Sequence, residues 1–172
     1  MLATSGGTCH AGGMNALDGL TLRDLPHLRS AIALAAIARK VGDEPYGAVV
    51  VAADGTRLID ARNTQNTTRD PAAHAERNAL RLLKNAVPAG RLEGATIYAS
   101  GEPCADCAEA IAAAGIRRVV FGAAADSLPG RDGKSGYSCR LILEPNGAEV
   151  FGPVLADEAA VPLAGWTVGG AR

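Results

Sequence analysis

Apolar residues recur along the chain with two different periods, which predict helices in some stretches and strands in others. The first stretch runs from Asp24 to Lys40 and is predicted to be a helix, with Asp24 as a candidate N-cap and Pro26 in the first turn. One face of this helix carries residues at helical spacing: Leu28, Ile32, Ala35, Ala36 and Arg39. This face is expected to pack against a core.

Two short runs of strand-forming residues follow the first helix. Residues 48–51 are continuously apolar, and residues 57–61 follow after an Asp-Gly turn at 53–56, so the two runs predict a β-hairpin. Residues 63–70 are polar and contain turn formers. They are expected to form a surface loop.

The middle of the chain alternates between helical and extended patterns. A helix is predicted from Pro71 to about Asn85, a buried strand at 95–99, a helix from Cys104 to Ala114 and a strand at 117–122. A strand, a helix and a strand of these lengths form a βαβ unit. The two strands are therefore expected to be parallel, with a right-handed crossover.

The remaining segments give shorter elements. Residues 125–138 are rich in Gly, Asp and Ser and predict a long loop. A short helix at 139–143, a strand at 149–151 and a helix between 157 and 166 are predicted to complete the domain.

Composition bounds the organisation of the chain. With 172 residues, of which 48% are hydrophobic, residues 21–168 are expected to form one domain, and the glycine-containing residues 1–20 a flexible tail. No apolar run has the length of a membrane span, and the N-terminus lacks a signal-peptide pattern. We therefore expect a cytoplasmic protein without a membrane partner. The net charge of −1 favours a small neutral substrate over nucleic acid.

Two short motifs, about thirty residues apart, carry the candidate chemistry. The first places Glu76 two residues after His74, and the second is the Pro-Cys-x-x-Cys sequence that contains Cys104 and Cys107. One His and two Cys can hold Zn²⁺ and leave a fourth position open for water, as catalytic zinc sites do. Glu76 lies close enough to the His to move a proton at such a site.

Each motif has other interpretations when it is taken alone. Cys-x-x-Cys also occurs in redox pairs and in structural zinc sites, so a thiol redox protein and a non-catalytic zinc-binding module are alternatives. A structural site would need a fourth ligand from Cys9, His10, His27 or Cys139, and none of these has the spacing of a zinc-knuckle partner. The combination of both motifs favours a zinc nucleobase deaminase.

With these motifs the chain resembles the cytidine deaminase superfamily, in the branch of guanine deaminases, cytosine deaminases and tRNA adenosine deaminases. The resemblance extends from about Leu28 to Ala123. It implies an α/β fold of three layers, with helices on both faces of a central five-stranded mixed sheet, and a homodimer. It also implies one Zn²⁺ per subunit on His74, Cys104 and Cys107, with Glu76 as the catalytic proton shuttle.

The same resemblance indicates residues that would contact the substrate. Asn63 matches a position that holds the base, although a turn role is the alternative, and the backbone around Ala75 and Ser100 would add hydrogen bonds. Trp166 could close the pocket or simply pack in the core. The loop that decides specificity in this family would contain Asp126, Asp132 and Tyr137, each of which could instead be an ordinary solvated loop residue.

The predicted function is a zinc-dependent hydrolytic deaminase that releases ammonia from a small heterocyclic substrate. The expected substrate is a free nucleobase or simple nucleoside of the guanine or cytosine type, or a related aminotriazine. A tRNA-specific adenosine deaminase is the alternative within the class. Residues 157–166 carry no Lys or Arg, which argues against RNA binding, whereas four arginines cluster in sequence at Arg62, Arg69, Arg77 and Arg81.

Overall fold

The computed structural model describes residues 19–129 and 137–167 and forms an α/β fold around one five-stranded sheet. Residues 1–18 of the predicted tail lie outside the described residues. The five strands are β1 (Gly47–Val51), β2 (Arg57–Arg62), β3 (Thr96–Gly101), β4 (Arg118–Ala123) and β5 (Glu149–Phe151). The helices are α1 (Asp24–Lys40), α2 (Gln65–Thr68), α3 (Ala75–Ala86), α4 (Ala105–Ala113), α5 (Arg140–Leu143) and α6 (Ala156–Ala160).

The sheet is mixed, with strand order β2-β1-β3-β4-β5. Strand β1 pairs antiparallel with both β2 and β3, whereas β3, β4 and β5 are parallel. The predicted hairpin and the predicted parallel pair around α4 are therefore confirmed. The five-stranded mixed sheet implied by the family resemblance is confirmed as well.

Helices cover both faces of the sheet because side chains alternate along each strand. In β1, Val49 and Val51 face the cluster that α1 and α6 complete, while Val50 faces the cluster of α3, α4 and α5. Strand β4 alternates in the same way, with Val120 on the first side and Val119 on the second. The result is the expected three-layer arrangement.

Gly47, at the start of β1, allows α1 to lie directly on the sheet. A Cβ atom at this position would come within 2.2 Å of the Ala31 carbonyl oxygen and 2.6 Å of the Leu34 Cβ. No side chain fits in that space, so glycine is required by close approach of backbone. This contact sets the distance between α1 and the start of β1.

Three predicted elements have different limits in the structure. The helix predicted from Pro71 begins at Ala75, because the Asp70 side chain accepts the Ala72 amide at 2.8 Å and holds residues 70–73 in a turn. The loop predicted at 63–70 contains the short helix α2. The helix predicted within 157–166 spans only Ala156–Ala160, and a 3₁₀ turn that contains Pro162 follows it.

Two details of the first helix were also predicted wrongly. Arg23 occupies the N-cap, and Asp24 is the first helical residue, with a buried carboxylate. Ala36 is exposed, whereas Ala31 and Ala38 are buried. The buried face of α1 is therefore rotated by part of a turn from the predicted one. None of the helices in the described ranges is long and apolar enough to cross a membrane.

Candidate active site

The candidate site lies where the carboxyl end of β3 meets the amino ends of α3 and α4. His74 is the N-cap residue of α3 and Cys104 is the N-cap residue of α4, and both have extended backbone conformations. The amino ends of both helices therefore face the same place. Their partial positive charges stabilise thiolates and other anions there.

The three predicted metal ligands come together at this point. Cys104 Sγ lies 3.4 Å from His74 Nδ1, and Cys107 Sγ lies 3.5 Å from the same nitrogen. All three ligand atoms lie within 4.8 Å of one another. One imidazole and two thiolates form a donor set that fits Zn²⁺, and these residues are able to hold it.

The other candidate ligands do not join this group. The His27 ring packs against Tyr98, with ring centroids 5.1 Å apart, at the opposite end of the sheet. Cys139 is buried in the core and its amide donates to Glu102. Cys9 and His10 lie outside the described residues. Within the described parts of the chain the group therefore has three members, which is the number that a catalytic zinc site uses.

Protonation equilibria at the site follow from burial and from contact between the ligands. Burial raises the pKa of Glu76, whose side chain is almost completely enclosed. The hydrogen bond between the two thiols lowers the pKa of Cys104 and raises the pKa of Cys107, and a hydrogen bond with Cys104 raises the pKa of His74. The lowered pKa of Cys104 favours its thiolate, which is the form of cysteine that binds a metal ion.

Glu76 lies beside the ligands without being one of them. Its Oε2 is 3.6 Å from Cys107 Sγ, and the residue sits in the first turn of α3, two residues beyond His74. The side chain also lines a cavity of about 300 Å³ that opens from the ligand group. A carboxylate in this place can exchange protons with a molecule bound in the cavity.

The cavity has a polar side and an apolar side. Its lining residues are Glu44, Tyr46, Asn63, Gln65, His74, Glu76, Glu102, Cys104, Leu128, Pro129 and Trp166. Its volume lies at the lower end of the range for small-molecule sites, and its lining is rich in polar side chains, with Leu128, Pro129 and Trp166 supplying apolar surface.

Asn63 makes a turn contact and also lies on the cavity wall, and its contact with a substrate stays a prediction. Its Oδ1 accepts the Gln65 amide at 2.9 Å, which is a turn contact, and its Nδ2 donates to Gln65 Oε1 at 2.6 Å. The residue also lines the cavity. Ala75 and Ser100 are buried near this wall and are not among its lining residues, and the Ser100 hydroxyl accepts the Gly47 amide at 3.0 Å. Their backbone contacts to a substrate stay a prediction.

Glu102 is a site residue that the sequence prediction missed. Its Oε2 accepts the Ala125 amide at 2.9 Å, and its Oε1 accepts the Ser138 hydroxyl at 2.7 Å and the Cys139 amide at 2.9 Å. Burial opposes its ionisation, but these hydrogen bonds outweigh burial and lower its pKa. Its position directly before Pro103 and the two cysteines was a signal that could have identified it.

The segments beyond β4 contribute unequally to the site. Leu128 and Pro129 form part of the apolar wall, and neither was predicted. The Tyr137 hydroxyl donates to the Pro103 carbonyl at 2.9 Å, which ties the end of the loop to the start of α4. Asp126 is exposed and does not line the cavity, and Asp132 lies outside the described residues.

Trp166 reaches the cavity from the C-terminal segment, where Arg39 of α1 holds the chain. Arg39 Nη1 donates to the carbonyl oxygens of Pro162 at 2.8 Å and Ala164 at 2.6 Å. The half-buried Trp166 ring then lies on the apolar wall. The first helix therefore positions a residue that is more than one hundred positions away in sequence.

Comparison with known proteins identifies the group of proteins to which this site belongs. Residues 23–123, more than half of the chain, match the model of the cytidine and deoxycytidylate deaminase zinc-binding region. The matched range contains all three ligand residues and Glu76.

Individual relatives cover most of the chain and differ in their substrates. A probable cytosine deaminase of Schizosaccharomyces pombe is 36% identical over 159 residues, which are 88% of this chain and 96% of the relative. A tRNA-specific adenosine deaminase of Bacillus subtilis is 35% identical over 139 residues, 79% of this chain and 83% of the relative. The X-ray structure of guanine deaminase from Bacillus subtilis is 30% identical, with a TM-score of 0.57, and covers 70% of this chain and 74% of that one.

Proposed function

The chain belongs to the cytidine and deoxycytidylate deaminase family, and we propose that it hydrolyses the amino group of a free nucleobase or simple nucleoside. Because its relatives are hydrolytic deaminases, it is a zinc-dependent hydrolase that acts on C–N bonds. The proposed substrate is of the guanine or cytosine type, or a related aminotriazine. The observation that carries this proposal is a buried carboxylate beside a three-ligand metal group at the end of a small cavity.

The residues of this site have complementary roles in the proposed reaction. His74, Cys104 and Cys107 would hold the zinc ion, which when bound supplies an activated water molecule for attack on the ring carbon that bears the amino group. Glu76 would accept a proton from that water and deliver it to the adjacent ring nitrogen. It would then take the second proton of the water from the new hydroxyl group on the ring carbon and donate it to the departing amino group, which leaves as ammonia while the C–O bond becomes the product carbonyl. One water is consumed and the carboxylate is regenerated.

The cavity walls support a flat heterocyclic substrate. The Asn63 amide nitrogen carries two hydrogens, and only one is used toward Gln65, so the other is available to a substrate acceptor. Trp166 and Leu128 would contact the faces of the ring. Ala75 and Ser100 would add the backbone contacts that the family resemblance implies.

The charges around the site favour a small substrate over tRNA. Three of the four clustered arginines have acidic partners close by. Arg62 contacts Asp43 at 2.7 Å, Arg81 contacts Asp70 at 2.8 Å and Arg77 contacts Asp106 at 3.7 Å. Paired arginines offer less positive charge to a phosphate backbone than free ones do. A tRNA-specific adenosine deaminase is nevertheless the second candidate, because the identity to the Bacillus subtilis enzyme is nearly as high.

Ammonia release by the zinc-loaded protein tests this proposal. The panel contains guanine, cytosine, adenine, their nucleosides, simple aminotriazines and a tRNA anticodon stem-loop, and the Glu76→Gln variant is the blank. Turnover of a small base or nucleoside is expected. Turnover of the stem-loop alone would favour the tRNA candidate. If the zinc-loaded protein releases no ammonia from any compound of the panel, the result would favour a non-catalytic zinc module.

We further propose that the protein is a homodimer, as the family resemblance implies. A groove of about 580 Å³ lies between α3 and α4, lined by apolar residues with a basic rim. The residues that line it are Arg77, Leu80, Arg81, Leu83, Lys84, Val87, Pro88, Leu92, Ala110, Ala113 and Ala114. A second copy seated on this groove would shield its apolar floor from water. Sedimentation equilibrium is expected to give twice the chain mass, and a monomer at micromolar concentration would contradict the proposal.

A further inference from the structure

A third carboxylate, that of Glu44, lies on the cavity wall and is not explained by the mechanism. Glu76 contacts Cys107, and the Glu102 carboxylate accepts three hydrogen bonds. Within residues 19–129 and 137–167, by contrast, no group hydrogen-bonds the half-buried Glu44 carboxylate. The charge of His74 acts on this carboxylate and lowers its pKa, against the effect of burial. Burial of a carboxylate without a hydrogen-bond donor is costly. The acceptor oxygens of Glu44 are therefore available to a donor that enters the cavity.

The backbone around Glu44 is held firmly on both sides. The preceding Asp43 side chain is fully buried and accepts the amides of Asn66 at 3.0 Å and Thr67 at 2.8 Å. The following Pro45 is buried and has a fixed φ. The Glu44 carbonyl also accepts the Tyr46 amide at 2.8 Å. A side chain on such a segment loses little conformational freedom on binding, so it is preorganised as an acceptor.

We propose that Glu44 accepts a hydrogen bond from a ring N–H group of the substrate and selects bases that carry this donor. This inference rests on the proposed function and deepens it. An ionised carboxylate has acceptors only, so it matches a ring N–H and offers nothing to a ring nitrogen that is methylated or attached to a sugar. The protein would then prefer a free base to the derivative that lacks this hydrogen.

The charge of the site agrees with this assignment. Burial raises the pKa of Glu44, which reflects the cost of keeping its charge away from water. A substrate N–H would return part of the lost hydration through a charge-assisted hydrogen bond. A bond of this kind typically changes affinity by roughly 10- to 100-fold.

The experiment compares the free base that the enzyme turns over best with its ring N-methyl derivatives and its nucleoside. The proteins are the wild type, Glu44→Met, Glu44→Gln and Glu93→Met, where Glu93 is an exposed control. In the wild type, at least one derivative is expected to have a kcat/KM that is about 10- to 100-fold below that of the free base. In Glu44→Met the kcat/KM for the free base should fall to the value for that derivative, because KM for the free base rises. The kcat/KM for the derivative should not change.

The two remaining variants make the assignment specific. Glu44→Gln keeps one neutral acceptor and should give an intermediate KM, whereas Glu93→Met should match the wild type. Equal losses for the free base and all derivatives in Glu44→Met would overturn the proposal. So would a loss of zinc from that variant, because Glu44 would then act through His74. If the wild type deaminates a nucleoside but no free base, this inference fails and the proposed function stands; if it deaminates neither, the proposed function itself fails.

Discussion

Two buried carboxylates, one at each end of the sheet, differ in the hydrogen-bond donors that surround them. Asp24 at the amino end of β4 accepts the Tyr98 hydroxyl at 2.7 Å and the Arg118 guanidinium at 2.6 Å. Glu76 at the other end is also buried, yet besides its own backbone amide its partner in the described part of the chain is the Cys107 sulfur at 3.6 Å. Burial opposes the ionisation of both, but only Asp24 has donors that outweigh it.

The difference separates a structural carboxylate from a reactive one. Hydrogen bonds hold the pKa of Asp24 well below its usual range, and burial raises the pKa of Glu76. A carboxylate whose lone pairs are occupied by protein donors stabilises the fold and has no capacity left for chemistry. One that faces a cavity and a candidate metal site is free to exchange protons with a bound molecule, as proposed for Glu76. Substitution at the two ends should therefore affect different properties.

The largest effect is expected for Glu76→Gln. This change removes the proton shuttle, so kcat should fall by roughly 10²- to 10⁴-fold. Zinc content should be unchanged, because His74, Cys104 and Cys107 are intact. Ammonia release and metal analysis on the same preparation measure the two properties. Loss of zinc in parallel with activity would show that Glu76 supports the metal site rather than the chemistry.

Asp24→Asn should have the reverse effect. The side chains of Asp24 and Arg118 are 4% and 21% exposed, so removing the anion leaves a largely buried cation without its partner. We expect a loss of about 3 kcal/mol in the free energy of unfolding, with kcat of the folded protein unchanged. Urea denaturation measures it. Asp60→Asn is the matched control, because its exposed pair with Arg57 should contribute at most about 1 kcal/mol.

The contribution of Asp24 to the free energy of unfolding should decrease as the pH falls. Its folded pKa is lower than the unfolded value of about 3.9, so its contribution is complete above the unfolded value and declines as the pH falls below it. The difference between the urea midpoints of wild type and Asp24→Asn should therefore begin to shrink as the pH falls below about 4, and it should continue to shrink at still lower pH. The zinc site is the same in both proteins, so the difference isolates Asp24. A gap that stayed constant down to pH 3 would contradict the assignment.

The smallest effect is expected for Arg39→Met. Arg39 holds the segment that places Trp166 on the cavity wall. Loss of hydrogen bonds worth about 1.5 kcal/mol should loosen the wall and raise KM by roughly threefold to tenfold, with kcat less affected. The control is Arg29→Met, because Arg29 also joins α1 to the C-terminal segment, through Glu158 at 2.9 Å, without reaching the cavity. Equal KM values in the two variants would mean that Arg39 has no role at the site.

Much of this molecule was accessible from local sequence patterns. The Asp-Gly turn predicted the β1–β2 hairpin, and the spacing of strand, helix and strand predicted the parallel pair around α4. The three residues that come together as candidate zinc ligands could be proposed from the sequence because zinc requires specific side chains at short, recognisable spacings. Helix starts were less accessible, since the start of α3 depends on the turn that Asp70 stabilises.

Residue types and their local spacing already specify the chemical components: five strand-forming runs, helices with apolar faces, and a His, two cysteines and a glutamate. These follow from interactions between residues that are close along the chain. Which distant residues complete the site depends on tertiary packing. Leu128, Trp166 and Glu44 meet at one cavity only because packing against both faces of the sheet brings their segments together. Local spacing carries no information about such contacts, since they depend on how the whole core closes.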